Sequence, residues 1–308
     1  GNNIQAIKYY ELALEHSPNN NRIIEMISEK LTELNTPLNT KNKIGQVNFA
    51  IKDIKYEYTS DSIISDNLIK KILNEAEYLV NKNCKDLSFN QTQIFRKNNL
   101  NLNCDRHFLI FRNYKIIPKY CFSCIKVTIN LDNVVDLIKF FLIFDNISLP
   151  NNNLRKCMID LRKNSKFNYK GFIYCRSIEE AKKIKEKVNE ILKIKISKKL
   201  SANIKRGCSA FNDSYPGYEN TESNKVNYNL DWKKYEEIID KKFTKFKSIK
   251  KIQETTNGIS LNDIMIIKNW LFFAKLTNDD SFKKIAENIN NNSNLKKIIE
   301  QNKLNIKN

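Results

Sequence analysis

The chain has little of the two residues that bend and loosen a backbone: 6 Gly and 5 Pro in 308 residues. That scarcity excludes collagen-like, proline-rich and glycine-linker architectures. There is no glycine-rich phosphate loop, no nucleophile elbow and no His-x-x-His pair. Histidine occurs twice, so chemistry built on imidazole has only His16 and His107 to draw on. Long apolar runs are also missing. The most apolar stretches, 134–149 and 264–276, are interrupted by Asp136, Lys139 and Asp145 in the first and by Lys268 in the second. A membrane-spanning helix needs about 20 mostly apolar residues, so both read as buried helices. Carboxylates are few beside the cations, 34 against 53 Lys and Arg, for a net charge of +19. Heavy use of Asn, Lys and Ile is what an A- and T-rich coding sequence produces, and it inflates that surplus. The charge alone therefore does not specify a nucleic-acid partner. Seven cysteines, an odd number spread along a lysine-rich chain, predict reduced thiols and a cytoplasmic protein.

What is present is enough for one large domain or several small ones, with 41% hydrophobic residues. The first twenty residues carry a helical stripe of Ile4, Ile7, Tyr10, Leu12 and Leu14, with Ala6 and Ala13 seven apart, and Pro18 ends it. This segment resembles the second helix of a tetratricopeptide repeat, with Gly1, Ala6, Tyr10, Ala13 and Pro18 in register. The resemblance implies a protein-interaction scaffold that binds a protein partner through its repeats. It also implies that further repeats precede residue 1 and that 21–34 is the following helix.

The order of elements beyond it predicts an α+β fold: a helical-repeat remnant at 1–34, a mixed helix and hairpin segment at 46–120, a ferredoxin-like unit at 121–208, and C-terminal helices at 229–308. Residues 35–45 read as a polar linker, and Val47, Phe49 and Ile51 alternate like a short strand. A helix is expected over 62–80, capped by Ser60 or Asp61, and irregular chain over 81–103. Within 121–208 the pattern is βαββαβ: a strand through Ile125, Val127 and Ile129, a helix over 133–144, strands at 155–162 and 170–176, a helix capped by Ser177 and running to about Leu192, and a strand at 201–208. That order predicts a four-stranded antiparallel sheet with two helices on one face and the other face open. Residues 209–229 read as a polar loop. Helices follow over 231–246 and 261–276, the second behind a Ser260-x-x-Asp263 capping box, and then a polar tail.

Function is expected between residues 96 and 218, because seven of the eight Arg lie between Arg96 and Arg206 in a chain whose usual cation is Lys. Alternation places Phe172, Tyr174 and Arg176 on the open sheet face, with Lys126, Arg162 and Lys205 beside them. Aromatic rings flanked by cations suit an anionic ligand or single-stranded nucleic acid. Lys170, Gly171, Phe172 and Tyr174 resemble the third strand of the RNA-recognition-motif family, although Ile173 and Ser177 depart from its pattern. The resemblance implies RNA binding through Arg162, Phe172, Tyr174, Arg176 and Lys205. A third reading is an enzyme acting on an anionic metabolite, which requires Arg155, Arg162, Arg176 and Arg206 to converge. No catalytic residue is singled out. The spacing C-x2-H-x13-C-x2-C nominates Cys104, His107, Cys121 and Cys124 as ligands of a structural zinc. A hairpin over 107–120 centred on Tyr114 would bring the two pairs together.

Overall fold

In the computed structural model the described residues are 2–34, 43–58, 61–84, 87–98, 101–162, 165–223, 225–244, 254–287, 289 and 291–304. Their architecture is α+β. Eleven α-helices among these residues surround one antiparallel sheet of five strands. The strands are β1 (Gln93–Arg96), β2 (Ile125–Leu131), β3 (Arg155–Ile159), β4 (Tyr169–Cys175) and β5 (Ala202–Arg206), in the spatial order β1-β3-β4-β2-β5. Every pairing is antiparallel.

Two helices connect strands across one face: α6 (Val134–Ile143) between β2 and β3, and α7 (Ile178–Lys195) between β4 and β5. Each begins where a short polar side chain accepts from a free backbone N–H, Asn133 from Asp136 and Ser177 from Glu180. Val127, Ile129, Cys157 and Ile173 point from the strands into the helix-side core. Gly171 is needed here because a Cβ at that position would come within 2.3 Å of the Phe140 ring of α6. Gly171→Ala is therefore expected to destabilise the protein by about 1–3 kcal/mol through overpacking. Urea unfolding measures this, and a loss below about 0.5 kcal/mol would mean that α6 shifts freely.

The remaining helices extend this core outward. Helices α1 (Asn3–His16), α2 (Asn21–Leu31), α3 (Lys43–Lys52) and α4 (Asp66–Asn83) form an N-terminal layer. They share one hydrophobic cluster with α6 and with α10 (Leu261–Leu276), through Ile7, Ile27, Leu31, Ile51, Ile72 and Trp270. The Ser260 and Asp263 capping box is present at α10. On the far side, α5 (Cys104–Tyr114), α8 (Ser209–Ser214) and α9 (Lys233–Lys242) pack around Phe111, Phe211, Tyr218 and Ile239. The last element among the described residues is α11 (Ser293–Leu304).

Several expectations are corrected. Residues 47–51 are helical, because Ile44, Val47, Asn48 and Ile51 follow the 3.6-residue period and are buried together. The hairpin over 107–120 is absent. His107, Ile110 and Phe111 instead form the buried side of α5, and a 3₁₀ turn (Lys119–Phe122) leads into β2. The cap of α4 is Ser65, later than Ser60 or Asp61. The irregular segment 81–103 holds β1, and the loop 209–229 opens with α8. The greater part of the linker expected at 35–45 lies outside the described residues. No helix among the described residues is long and apolar enough to cross a membrane.

Candidate functional site

The sheet face opposite α6 and α7 lines a cleft of about 910 Å³. Its roof comes from Leu102, Cys104 and Phe108 at the start of α5 and from Cys208, Ser209 and Ala210 at the start of α8. Strand register assembles its floor. Lys156 lies opposite Phe95 and Phe172, Lys126 lies opposite Tyr174, and Lys126 also lies opposite Lys205. Three ammonium groups consequently surround one ring: the Nζ atoms of Lys126, Lys156 and Lys205 are 5.4, 5.2 and 5.7 Å from the Phe172 centroid. Lys126 is also 5.3 Å from the Tyr174 ring. Phe172 and Tyr174 are buried, 6% and 9% exposed, so they serve the cleft as floor, with ammonium groups over them.

Charge in the cleft is unbalanced. Six cations line it, against the carboxylates of Asp105 and Asp160. Asp160 neutralises part of this. It accepts from Lys170 Nζ at 2.6 Å and from both Arg162 Nε and Nη2, at 3.0 and 2.8 Å. These bonds hold its carboxyl well below the usual carboxylate range, despite burial. Lys205 donates to Glu219 at 3.1 Å and to Ser209 at 2.6 Å. Neither Lys126 nor Lys156 forms an ion pair with a carboxylate among the described residues. Lys126 reaches the Cys208 sulfur at 3.7 Å, and Lys156 reaches Gln93 Oε1 at 3.4 Å. Burial and the neighbouring Lys126 ammonium lower the Lys156 pKa to about 8.

Four of the five residues nominated for ligand binding line the cleft: Arg162, Phe172, Tyr174 and Lys205. Arg176 is exposed and lies outside it. The four arginines of the enzyme reading are not brought together. Arg155 points to the helix side, where it donates to the carbonyls of Phe144 and Asn153. Lys156 was missed, although simple alternation puts it on the face of Met158 and Phe172.

The nominated metal ligands lie at one end of the cleft. Cys104, His107, Cys121 and Cys124 all border a separate small cavity, which Cys208 also lines. His107 is buried and stacks on Tyr120, with ring centroids 5.1 Å apart and planes inclined by 19°. Among the described residues no group of three or more His, Cys, Asp or Glu side chains is already arranged to hold a metal ion. Comparison of the chain with protein-family models, with curated proteins and with solved structures finds no match.

Proposed function

We propose that this chain is a non-enzymatic binding protein whose lysine-lined cleft takes an anionic ligand bearing phosphate or carboxylate groups. In this reading β2, α6, β3, β4, α7 and β5 make a ferredoxin-like unit with β1 added at its edge. Helices α1 and α2 belong to a tetratricopeptide-like layer that presents the unit to a protein partner. The apolar side chains exposed on α1, Ile4, Tyr9 and Leu12, suit the stacking of helical repeats.

The observation that carries the reading is Lys156. Its ammonium sits in a concave cavity beside a second ammonium, and no carboxylate of the described residues is within ion-pair distance of it, Asp160 being engaged by Lys170 and Arg162. A cation in that setting costs folding energy and gains most from an incoming anion. The volume of about 910 Å³ is that of a small-molecule site.

Single-stranded nucleic acid is the alternative, favoured by the aromatic floor and the surrounding cations. The two readings separate by titration calorimetry at low salt with inorganic pyrophosphate and with a short single-stranded RNA. A small-molecule site binds pyrophosphate with a Lys156-dependent affinity, and RNA gains nothing from added length. A nucleic-acid groove gives affinity that rises with length and falls steeply with salt. Absence of Lys156-dependent binding to either probe refutes the cleft as a binding site.

A further inference from the structure

The cavity below the cleft is small, about 20 Å³, and four cysteines line it from separate parts of the chain. Cys104 opens α5, Cys121 lies in the 3₁₀ turn before β2, Cys124 immediately precedes β2, and Cys208 follows β5. Local backbone structure locks these pieces together. The Gly207 N–H donates to the Cys124 carbonyl at 2.7 Å, which sets Cys208 next to the Cys-x-x-Cys turn. Gly207 has φ +53°, and a Cβ there would meet the Tyr218 hydroxyl at 2.1 Å. That hydroxyl donates to the Cys121 carbonyl at 2.5 Å, bracing the turn from below. The cavity has about the volume of one water-sized sphere, too small for an organic ligand and sufficient for a single ion.

We propose that Cys104, Cys121, Cys124 and Cys208 bind one structural Zn²⁺, which staples α5 and the end of β5 to the start of β2. Four thiolates are the soft, closed donor set that zinc takes in structural sites. All four cysteines line the same cavity, and each has a single χ1 by which its sulfur turns toward it.

A second, independent observation points to the same centre. Lys126 is 4% exposed and has no carboxylate partner among the described residues; its ammonium is directed at the Cys208 sulfur, 3.7 Å away. A tetrathiolate zinc centre carries a net charge of −2, which supplies the missing counter-charge through an N–H···S bond to a ligand. Cys208 is thereby the fourth ligand in place of His107, whose ring is packed flat against Tyr120. When Zn²⁺ binds, four S–H bonds give up their protons to solvent and four Zn–S bonds form.

The test uses the full chain purified without chelator. Elemental analysis and native mass spectrometry are expected to find one zinc per chain. Iodoacetamide labelling of the zinc-loaded chain should spare Cys104, Cys121, Cys124 and Cys208 as a set, and a chelator should release all four together. Cys208→Ser should weaken zinc binding at least tenfold, while His107→Ala should keep stoichiometric zinc. The Co²⁺-loaded chain should show the absorption of an all-thiolate tetrahedral site. The proposal is overturned by failure to bind added zinc, by iron as the resident metal, or by free alkylation of Cys104 or Cys208 in the zinc-loaded chain. Labelling reads the unmutated protein, so a variant that fails to fold does not blunt the result.

Discussion

Arg96→Met should cost about 3–5 kcal/mol of stability, the usual penalty for removing one partner of a buried ion cluster. The Arg96 side chain is 7% exposed and stands between two carboxylates, Asp145 at 3.1 Å and Asp263 at 3.2 Å. Its Nη2 also donates to the Gly258 carbonyl at 2.6 Å, and its guanidinium lies 5.0 Å from the Phe141 ring centre. Burial works against the charge, but the two carboxylates outweigh it and raise the Arg96 pKa further. Removing the guanidinium leaves the buried Asp263 and the half-buried Asp145 with no opposite charge between them. Asp263 is the more exposed to damage, because its Oδ2 also accepts from the Ser260 N–H that starts α10. The loss should therefore spread from β1 to the N-terminus of α10. Arg96→Lys should recover less than half of it, since one ammonium cannot form the same fork to two carboxylates and a carbonyl. Urea unfolding with an unchanged m-value would register the change as stability. A loss of under 1 kcal/mol for Arg96→Met would mean that water reaches the cluster and screens it.

That cluster also shows where reading from sequence stops. The Arg enrichment directs attention to the stretch that begins at Arg96, yet Arg96 acts as a structural clamp and does not line the cleft. Its partners are Asp145 and Asp263, which only the folded chain brings near β1. Where local chemistry decides, the reading from sequence succeeds. The capping residues Ser177 and Ser260 and the alternation in β2 and β4 mark their elements correctly. Where two periods compete over a short apolar run, it fails. Val47, Phe49 and Ile51 suit a strand, but Ile44, Val47 and Ile51 are what the helix α3 buries. The hairpin expected over 107–120 comes from pairing the Cys and His positions, whereas His107, Ile110 and Phe111 follow the helical period of α5. β1 went unseen because it is a four-residue strand with no long alternation to announce it. Cys208 is a further case. Spacing nominates near neighbours such as His107, whereas the β2–β5 register, with Ile125 opposite Arg206, is what sets Cys208 beside Cys124.

Lys156→Met should make the free protein more stable and at the same time abolish anion binding in the cleft. The two effects share one cause. Methionine keeps most of the aliphatic stem packed against Phe95 and Phe172, the rings near the Lys156 ammonium, and removes only the charge. The charge is unfavourable in the free state: Lys156 titrates near 8, against an ordinary value of about 10.4. The charged and titratable groups facing it are Lys126, Asp160, Cys104 and Cys208. Removing an ammonium so placed should add about 1–3 kcal/mol at neutral pH. Because the folded-state pKa lies below the unfolded one, the unfolded chain binds more protons between pH 8 and about 10.4. Stability of the parent protein should accordingly rise with pH across that window, and the methionine variant should lose that part of the slope. Anion affinity moves the other way. It is greatest while Lys156 is protonated and falls as pH rises through about 8. Thermal unfolding between pH 6 and 10, with and without pyrophosphate, tests both halves. A variant less stable than its parent at pH 7 would show that the ammonium already has a favourable partner. A variant that still binds pyrophosphate with undiminished affinity would remove Lys156 from the site.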